Sequence, residues 1–137
     1  MPRYAEYCQR AASIEDKILS FPPFNGSTSV AAWDSLDIAH GAAGTSLYLL
    51  WAADHIQAMA VDAKLPPTTA TAVSSRVKAL RVKALRAGAV SAAQWLLGQG
   101  EQAPHDKGLR WRRGPDTDGN HEGLYFPTFC CGTAGIG

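Results

Sequence analysis

The chain has 137 residues, the size of one ordinary domain, so two independent hydrophobic cores are not expected. Hydrophobic residues make up 46% of the sequence and charged residues 18%, which excludes a wholly disordered chain. The 13 basic and 12 acidic side chains leave a formal charge of +1, too small to indicate a nucleic acid or an anionic membrane as partner. Because the sequence has neither an apolar run of about 18 residues nor the apolar core of a secretory signal, we expect no transmembrane segment and a cytoplasmic protein.

Three helices are predicted in chain order. Apolar residues recur every three or four positions over residues 3–19, which is the spacing of one helical face. Residues 45–61 are apolar around nearly the whole circumference, so the second helix is expected to be buried on most sides. A third helix is predicted over residues 72–99, with a stripe of apolar and small residues suited to close helix packing. The stripe consists of Val77, Leu80, Ala84, Gly88, Ala92 and Trp95. The predicted fold class is therefore all-α.

The sequence changes character after the third helix and becomes rich in Gly, Pro, Asp and Asn over residues 98–129. Residues 109–113 indicate a short strand or an aromatic stacking surface, and a solvated hairpin is the preferred interpretation. The three cysteines, Cys8, Cys130 and Cys131, are odd in number, and the last two are adjacent. Because adjacent cysteines are poorly placed for a mutual disulfide, we expect reduced thiols, for which metal binding is one use.

A short motif occurs twice. Residues 39–45 read Ala-His-Gly-Ala-Ala-Gly-Thr, and residues 130–136 read Cys-Cys-Gly-Thr-Ala-Gly-Ile. In both copies two glycines enclose small residues, and the first copy leads directly into the helix predicted from Thr45. Glycine has no Cβ, so it suits a tight turn and a close backbone approach just before a helix. Two such corners about ninety residues apart predict a repeat of helical hairpins.

These segments resemble the lanthionine synthetase C-like (LanC-like) family. Residues 36–50 are similar to its His-Gly-x-Ala-Gly motif with the apolar helix that follows, and residues 125–137 to its aromatic-Pro-x-Phe-Ser-His-Gly-Thr-Ala-Gly segment. The resemblance covers residues 30–137 and implies an α/α toroid, of which residues 1–137 would form a single partial domain. Since the second motif is followed by no helix, we expect the sequence to be a fragment, truncated at its C-terminus.

The resemblance also implies a chemistry. Family enzymes use zinc to add a thiol, from a peptide cysteine or glutathione, to a dehydroamino acid. In one register Cys130 stands at the zinc-ligand position of the family's Trp-Cys-x-Gly motif. In the other register, which the aromatic-Pro stretch at residues 125–127 favours, Cys131 replaces the acid-base histidine. His40 in the first copy is the second candidate catalytic residue. The family's later Cys-His-Gly pair is absent from this sequence, so its zinc site is incomplete.

Alternatives remain open at this point. His40 also suits a structural histidine bonded to the backbone, and Cys130 and Cys131 suit small buried thiols. The chain is either part of a zinc-dependent enzyme or a non-catalytic helical toroid that binds a peptide or a partner protein. A carbohydrate-active α/α toroid is a further alternative, supported by fold analogy alone.

Overall fold

The computed structural model describes residues 2–27, 36, 41–61, 69–105 and 108–112. Within them the chain forms three helices, α1 (Pro2–Ser20), α2 (Ala42–Val61) and α3 (Thr69–Gln99). Two short strands follow, β1 (Glu101–Gln102) and β2 (Leu109–Arg110). The predicted helical class is confirmed, and each predicted helix is observed within three residues of its predicted bounds.

Helix α1 ends at a turn that is anchored in the core. Two prolines follow Ser20 at positions 22 and 23, and a proline cannot donate the backbone hydrogen bond that would continue the helix. Asn25 closes the turn, since its side-chain nitrogen donates to the Ser20 carbonyl oxygen at 3.0 Å. Phe24 is only 3% exposed and belongs to the hydrophobic core. This turn therefore fixes the end of α1 against the rest of the molecule.

The core is an interface between α2 and α3 that is rich in alanine. Leu49 of α2 and Leu85 of α3 are its largest fully buried side chains. The smaller buried residues are Ala42, Ala43, Ala52 and Ala53 on α2 and Ala89 and Ala92 on α3. Since the distance between helix axes depends on the side chains at the contact, alanines allow the two helices to approach closely. Helix α1 adds the half-buried Ile18 and Leu19 at the edge of this core.

Gly88 lies at a close approach of α3 to α1 and to the turn that follows α1. A Cβ at this position would collide with Cδ2 of Leu19 and would lie 3.3 Å from the Phe24 carbonyl oxygen. The predicted use of small residues for close packing is therefore confirmed at Gly88 and Ala92. It is wrong for Val77 and Leu80, which are 60% and 61% exposed, and for Ala84, which is also exposed.

The exposure of Val77 and Leu80 follows from the difference in length between α3 and α2. With 31 residues against 20, α3 extends to about 46 Å and α2 to about 30 Å at 1.5 Å per residue. Helix α2 therefore cannot cover α3 along its whole length. The buried face runs instead through Leu85, Gly88, Ala92 and Leu96, at helical spacing.

Helix α2 differs from its prediction in two respects. It begins at Ala42 rather than Thr45, so the second glycine of the motif, Gly44, lies in the first helical turn. Burial on most sides is not observed for its described residues, because Leu47 is 52% exposed and Trp51 62% exposed. One face of α2 packs on α3, and much of the remaining apolar surface is left open.

The strands β1 and β2 form an antiparallel hairpin in which Glu101 pairs with Arg110. The hairpin of the preferred interpretation is thus observed, but it is not solvated throughout, because Trp111 is buried. The hairpin is attached to α3 through Trp111, which is 5% exposed and whose indole nitrogen donates to the Leu96 carbonyl oxygen at 2.7 Å.

None of the helices in the described ranges combines the length and the apolar character needed to cross a bilayer.

Candidate functional site

The predicted site residues His40, Cys130 and Cys131 lie outside the described residues, as does the second copy of the glycine motif at residues 130–136. The first copy is described from Gly41 onward. The part of the predicted site whose geometry can be described is therefore the corner from Gly41 onward.

Gly41 forms a buried corner at the start of α2. Its carbonyl oxygen accepts hydrogen bonds from the backbone nitrogen of Thr45 at 3.2 Å and from the Thr45 hydroxyl at 3.1 Å. The backbone nitrogen of Ala43 donates to the Leu36 carbonyl oxygen at 3.3 Å, which satisfies one of the amides left unpaired at a helix start. His40 thus directly precedes a corner that is fixed by backbone hydrogen bonds and packed in the core.

A second feature, which we call the aromatic groove, lies between α1, α2 and the first half of α3. It is an open apolar groove with a volume of about 490 Å³. The Trp51 ring stacks on His55 with ring centres 5.3 Å apart, and it is tilted by 32° against Tyr48 at 6.1 Å. The lining of the aromatic groove consists of Tyr4, Tyr7, Cys8, Ala11, Ala12, Glu15, Tyr48, Trp51, Ala52, His55, Ile56, Met59, Lys78 and Arg81.

The floor of the aromatic groove holds a buried carboxylate. Glu15 is 5% exposed, and its Oε1 accepts a hydrogen bond from the Tyr48 hydroxyl at 3.1 Å. Its Oε2 accepts from Nε of Arg81 at 3.0 Å and also from Nη2 of the same guanidinium. Arg81 is fixed further by Asp16 Oδ1 at 3.1 Å and the Ala12 carbonyl oxygen at 2.9 Å. The charge of Glu15 is therefore paired, as burial of a carboxylate requires.

Two members of this network, Tyr48 and Arg81, each keep one protonation state at neutral pH. Burial raises the pKa of Tyr48 above its usual value of 10.0, and the charge and hydrogen bond of Glu15 raise it further. Burial acts to lower the pKa of Arg81, but its hydrogen bond to Glu15 and the charge of that carboxylate, with Asp16, outweigh burial and raise it. Tyr48 thus stays neutral and Arg81 charged, which indicates a structural network rather than an acid-base pair.

Zinc is the cofactor that the family resemblance implies. Within the described ranges, no three His, Cys, Asp or Glu side chains converge to hold a metal ion. The exposed thiol of Cys8 and the stacked imidazole of His55 both line the aromatic groove, but they do not belong to a three-ligand group among the described residues. A zinc site in this chain would therefore need at least one ligand from outside the described ranges, and Cys130 is the candidate.

Sequence reasoning did not find the network of Glu15, Tyr48 and Arg81, although a signal for it was present. Glu15 stands four residues after Ala11 and three before Ile18, on the apolar face of the first helix. A carboxylate at such a position needs a buried cation. Arg81, the first residue of the second copy of the repeated Arg-Val-Lys-Ala-Leu, supplies it.

Comparison of the chain with protein-family models, with curated proteins and with solved structures finds no match.

Proposed function

We propose that the chain is part of a cytoplasmic LanC-like α/α toroid. Its activity in this proposal is the zinc-dependent addition of a thiol, from a peptide cysteine or from glutathione, to a dehydroamino acid. The reaction forms a carbon–sulfur bond at the β-carbon and places a proton on the α-carbon of the acceptor. The observation that carries the proposal is the corner at Gly41, from which the motif leads at once into the apolar helix α2.

The packing of α2 supports the toroid. In a repeat of helical hairpins each unit packs one face on its own partner helix and the other on the next unit. Helix α2 buries Leu49 and Ala53 against α3, while Leu47, Leu50 and Trp51 remain 39% or more exposed. An exposed row of large apolar side chains on a helix that already has one packed face is what such a unit presents to its neighbour.

The proposal assigns a role to each predicted site residue. Cys130 is the zinc ligand, because a cysteine thiolate is a preferred zinc donor. Bound zinc lowers the pKa of a coordinated thiol, so that it is available as thiolate. His40 and Cys131 are the acid-base candidates, because histidine is the side chain that most often transfers protons in enzymes and Cys131 stands at the position of the family's acid-base histidine.

The test is the zinc content of the 137-residue chain, purified without chelator and measured by mass spectrometry of the metal. Near-stoichiometric zinc in the unmodified chain and in Cys8→Ala, whose thiol lies in α1, would support the proposal. Zinc should be lost in Cys130→Ala, with the helical circular dichroism unchanged. Retention of zinc in Cys131→Ala would exclude residue 131 as a required zinc ligand, as the acid-base register expects.

Two results would contradict the proposal. A chain that carries no zinc, both alone and within a longer protein, favours the non-catalytic toroid that binds a peptide or a partner protein. Zinc that persists in Cys130→Ala would show that residue 130 is not a ligand. The zinc-ligand role that the family motif implies for Cys130 would then be wrong.

A further inference from the structure

A polar pocket, which we call the neutral pocket, lies between the turn that follows α1 and the last turns of α3. Its volume is about 360 Å³, which lies within the range of about 300–1,000 Å³ that is typical of ligand sites. None of the described residues in its lining carries a charge. These residues are Pro23, Gly26, Ser27, Ser91, Gln94, Trp95, Gly98 and Gln99. None of them lies in the aromatic groove or on α2, so the neutral pocket leaves the open apolar face of α2 to a neighbouring unit.

Both walls of the neutral pocket are ordered without a ligand. On α3, Ser91, Trp95 and Gly98 recur at spacings of four and three residues, so they share one helical face. The Trp95 side chain is partly buried and packs against the hydrophobic core. In the opposite wall the backbone nitrogen of Gly26 donates to the Pro23 carbonyl oxygen at 3.2 Å. A ligand therefore meets a pocket whose shape already exists.

The polar side chains of the α3 wall are available to a ligand. Four side chains make no hydrogen bond to any of the described residues, namely those of Ser91, Gln94, Trp95 and Gln99. None of the four has a polar atom that is buried without a partner, so water reaches them. The hydroxyl and the two amides both donate and accept hydrogen bonds, whereas the indole nitrogen only donates. The wall thus offers an aromatic ring beside neutral polar groups of both kinds.

We propose that the neutral pocket binds an uncharged pyranose sugar. The C–H groups on one face of the sugar ring lie against the Trp95 indole, whose face carries the negative part of its quadrupole. The hydroxyl groups on the edge of the sugar bond to Ser91, Gln94 and Gln99, since hydroxyls and amides satisfy one another as donors and acceptors. The pocket binds the sugar without cleaving it, because the described lining residues include no carboxylate to act on a glycosidic bond.

Two other ligand classes suit the neutral pocket less well. A nucleotide or a sugar acid would give up the hydration of its negative charge without meeting a cation among the described lining residues. A nucleobase is held best between two stacking surfaces, and Trp95 is the one aromatic side chain in the described lining. A pyranose needs only one aromatic face, because its hydroxyl groups lie around the rest of the ring.

The experiment is a titration of the isotope-labelled chain followed by NMR. The neutral probes are the methyl pyranosides of glucose, galactose, mannose and N-acetylglucosamine, each added to about 50 mM, where millimolar binding is measurable. Methyl glucuronide and uridine are the charged probe and the nucleobase probe. We expect at least one neutral pyranoside to bind and to shift the indole N–H resonance of Trp95 and the side-chain amide resonances of Gln94 and Gln99. Glucuronide and uridine should bind about tenfold more weakly than this pyranoside, or not at all.

Substitutions on α3 test the location of the bound sugar. Nothing lies within 4 Å of a Cβ placed on Gly98, so Gly98→Leu fills the neutral pocket without a clash at its Cβ and should abolish binding. Gln94→Ala should weaken binding about fivefold, the effect of one lost hydrogen bond. Ala93→Leu is the matched control, because it introduces leucine at an exposed position of α3 outside the described lining, and it should leave binding unchanged. The helical circular dichroism of each variant checks its fold.

Any one of four results would overturn the proposal. These are no binding of any of the neutral pyranosides, equal or tighter binding of glucuronide or uridine, binding that leaves the Trp95 and Gln94 resonances unmoved, and binding that persists in Gly98→Leu. Because no described residue of the neutral pocket belongs to the proposed zinc site, each of these results leaves the zinc proposal untouched.

Discussion

Nε of Arg81 on α3 donates to Oε2 of Glu15 on α1 at 3.0 Å and so joins residues 66 positions apart in the sequence. The carboxylate side chain is 6% exposed and the guanidinium side chain 25% exposed, so the ion pair is largely withdrawn from solvent. Helix α1 otherwise contributes only the half-buried Ile18 and Leu19 to the edge of the core. The ion pair is therefore a principal attachment of α1 to α3.

Replacing Arg81 should destabilise the fold. Arg81→Met leaves the buried Glu15 carboxylate without its cation, and we expect a loss of about 2–3 kcal/mol in the free energy of unfolding, measured with urea. Arg86→Met is the matched control on the same helix. Arg86 pairs with Asp54 at 2.7 Å, but the two side chains are 45% and 71% exposed, so the expected loss is below about 1 kcal/mol. Equal losses in the two variants would show that Glu15 does not depend on Arg81.

Alkaline pH should destabilise the protein through Tyr48. Its pKa is raised in the folded chain by burial and by Glu15, whereas in the unfolded chain it keeps the usual value of 10.0. Below pH 10 the tyrosine is protonated in both states, and its contribution to stability is fully present. As the pH rises above 10 the unfolded chain releases this proton first, so stability falls until the folded pKa is passed. Between pH 9 and pH 11 the free energy of unfolding should therefore fall more steeply in the unmodified chain than in Tyr48→Phe, and identical slopes would contradict the raised pKa.

Adding one methyl group to α3 should have opposite effects at two glycines. In Gly88→Ala the new Cβ meets Leu19 and the Phe24 carbonyl oxygen, so we expect a net loss of about 1–2 kcal/mol in spite of the better helix propensity of alanine. In Gly98→Ala nothing lies within 4 Å of the new Cβ, and a gain of up to about 1 kcal/mol is expected. Thermal unfolding of the two variants checks the difference. A gain at both positions would mean that α1 does not pack on α3 at Gly88.

Loss of one hydrogen bond should loosen the hairpin. Trp111→Phe keeps an aromatic ring in the buried position but removes the indole donor to the Leu96 carbonyl oxygen. We expect a loss of about 1 kcal/mol in the free energy of unfolding, together with faster hydrogen exchange of the paired hairpin amides. Trp51→Phe changes an indole that is 62% exposed and should leave that exchange unaltered. Unchanged exchange in Trp111→Phe would contradict the proposed attachment.

Local patterns predicted the helices, while contacts between distant segments stayed hidden. The spacing of apolar residues predicted α1 within one residue at each end. The start of α2 was placed too late, because Gly44 was interpreted as part of a turn although a single glycine is tolerated inside a helix. The partial exposure of α3 could not be predicted, since it depends on how far α2 reaches along it.

The parts of the candidate site that depend on local sequence were likewise predictable, and the contacts between distant residues were not. The glycine motif correctly indicated a corner before α2. This was possible because the hydrogen bonds that form the corner join residues close to Gly41 in the sequence. The partnership of Glu15 with Arg81 depends on the packing of α1 against α3, which no local pattern reports. The roles of His40, Cys130 and Cys131 stay predictions, as these residues lie outside the described ranges.

X-ray absorption at the zinc edge of the zinc-loaded chain tests the central claim most directly, because it identifies the atoms bound to the metal. The account predicts at least one sulfur ligand at about 2.3 Å, the usual zinc–thiolate distance, present in Cys8→Ala and absent in Cys130→Ala. A spectrum with nitrogen and oxygen ligands alone, or a sulfur ligand that persists in Cys130→Ala, would contradict it.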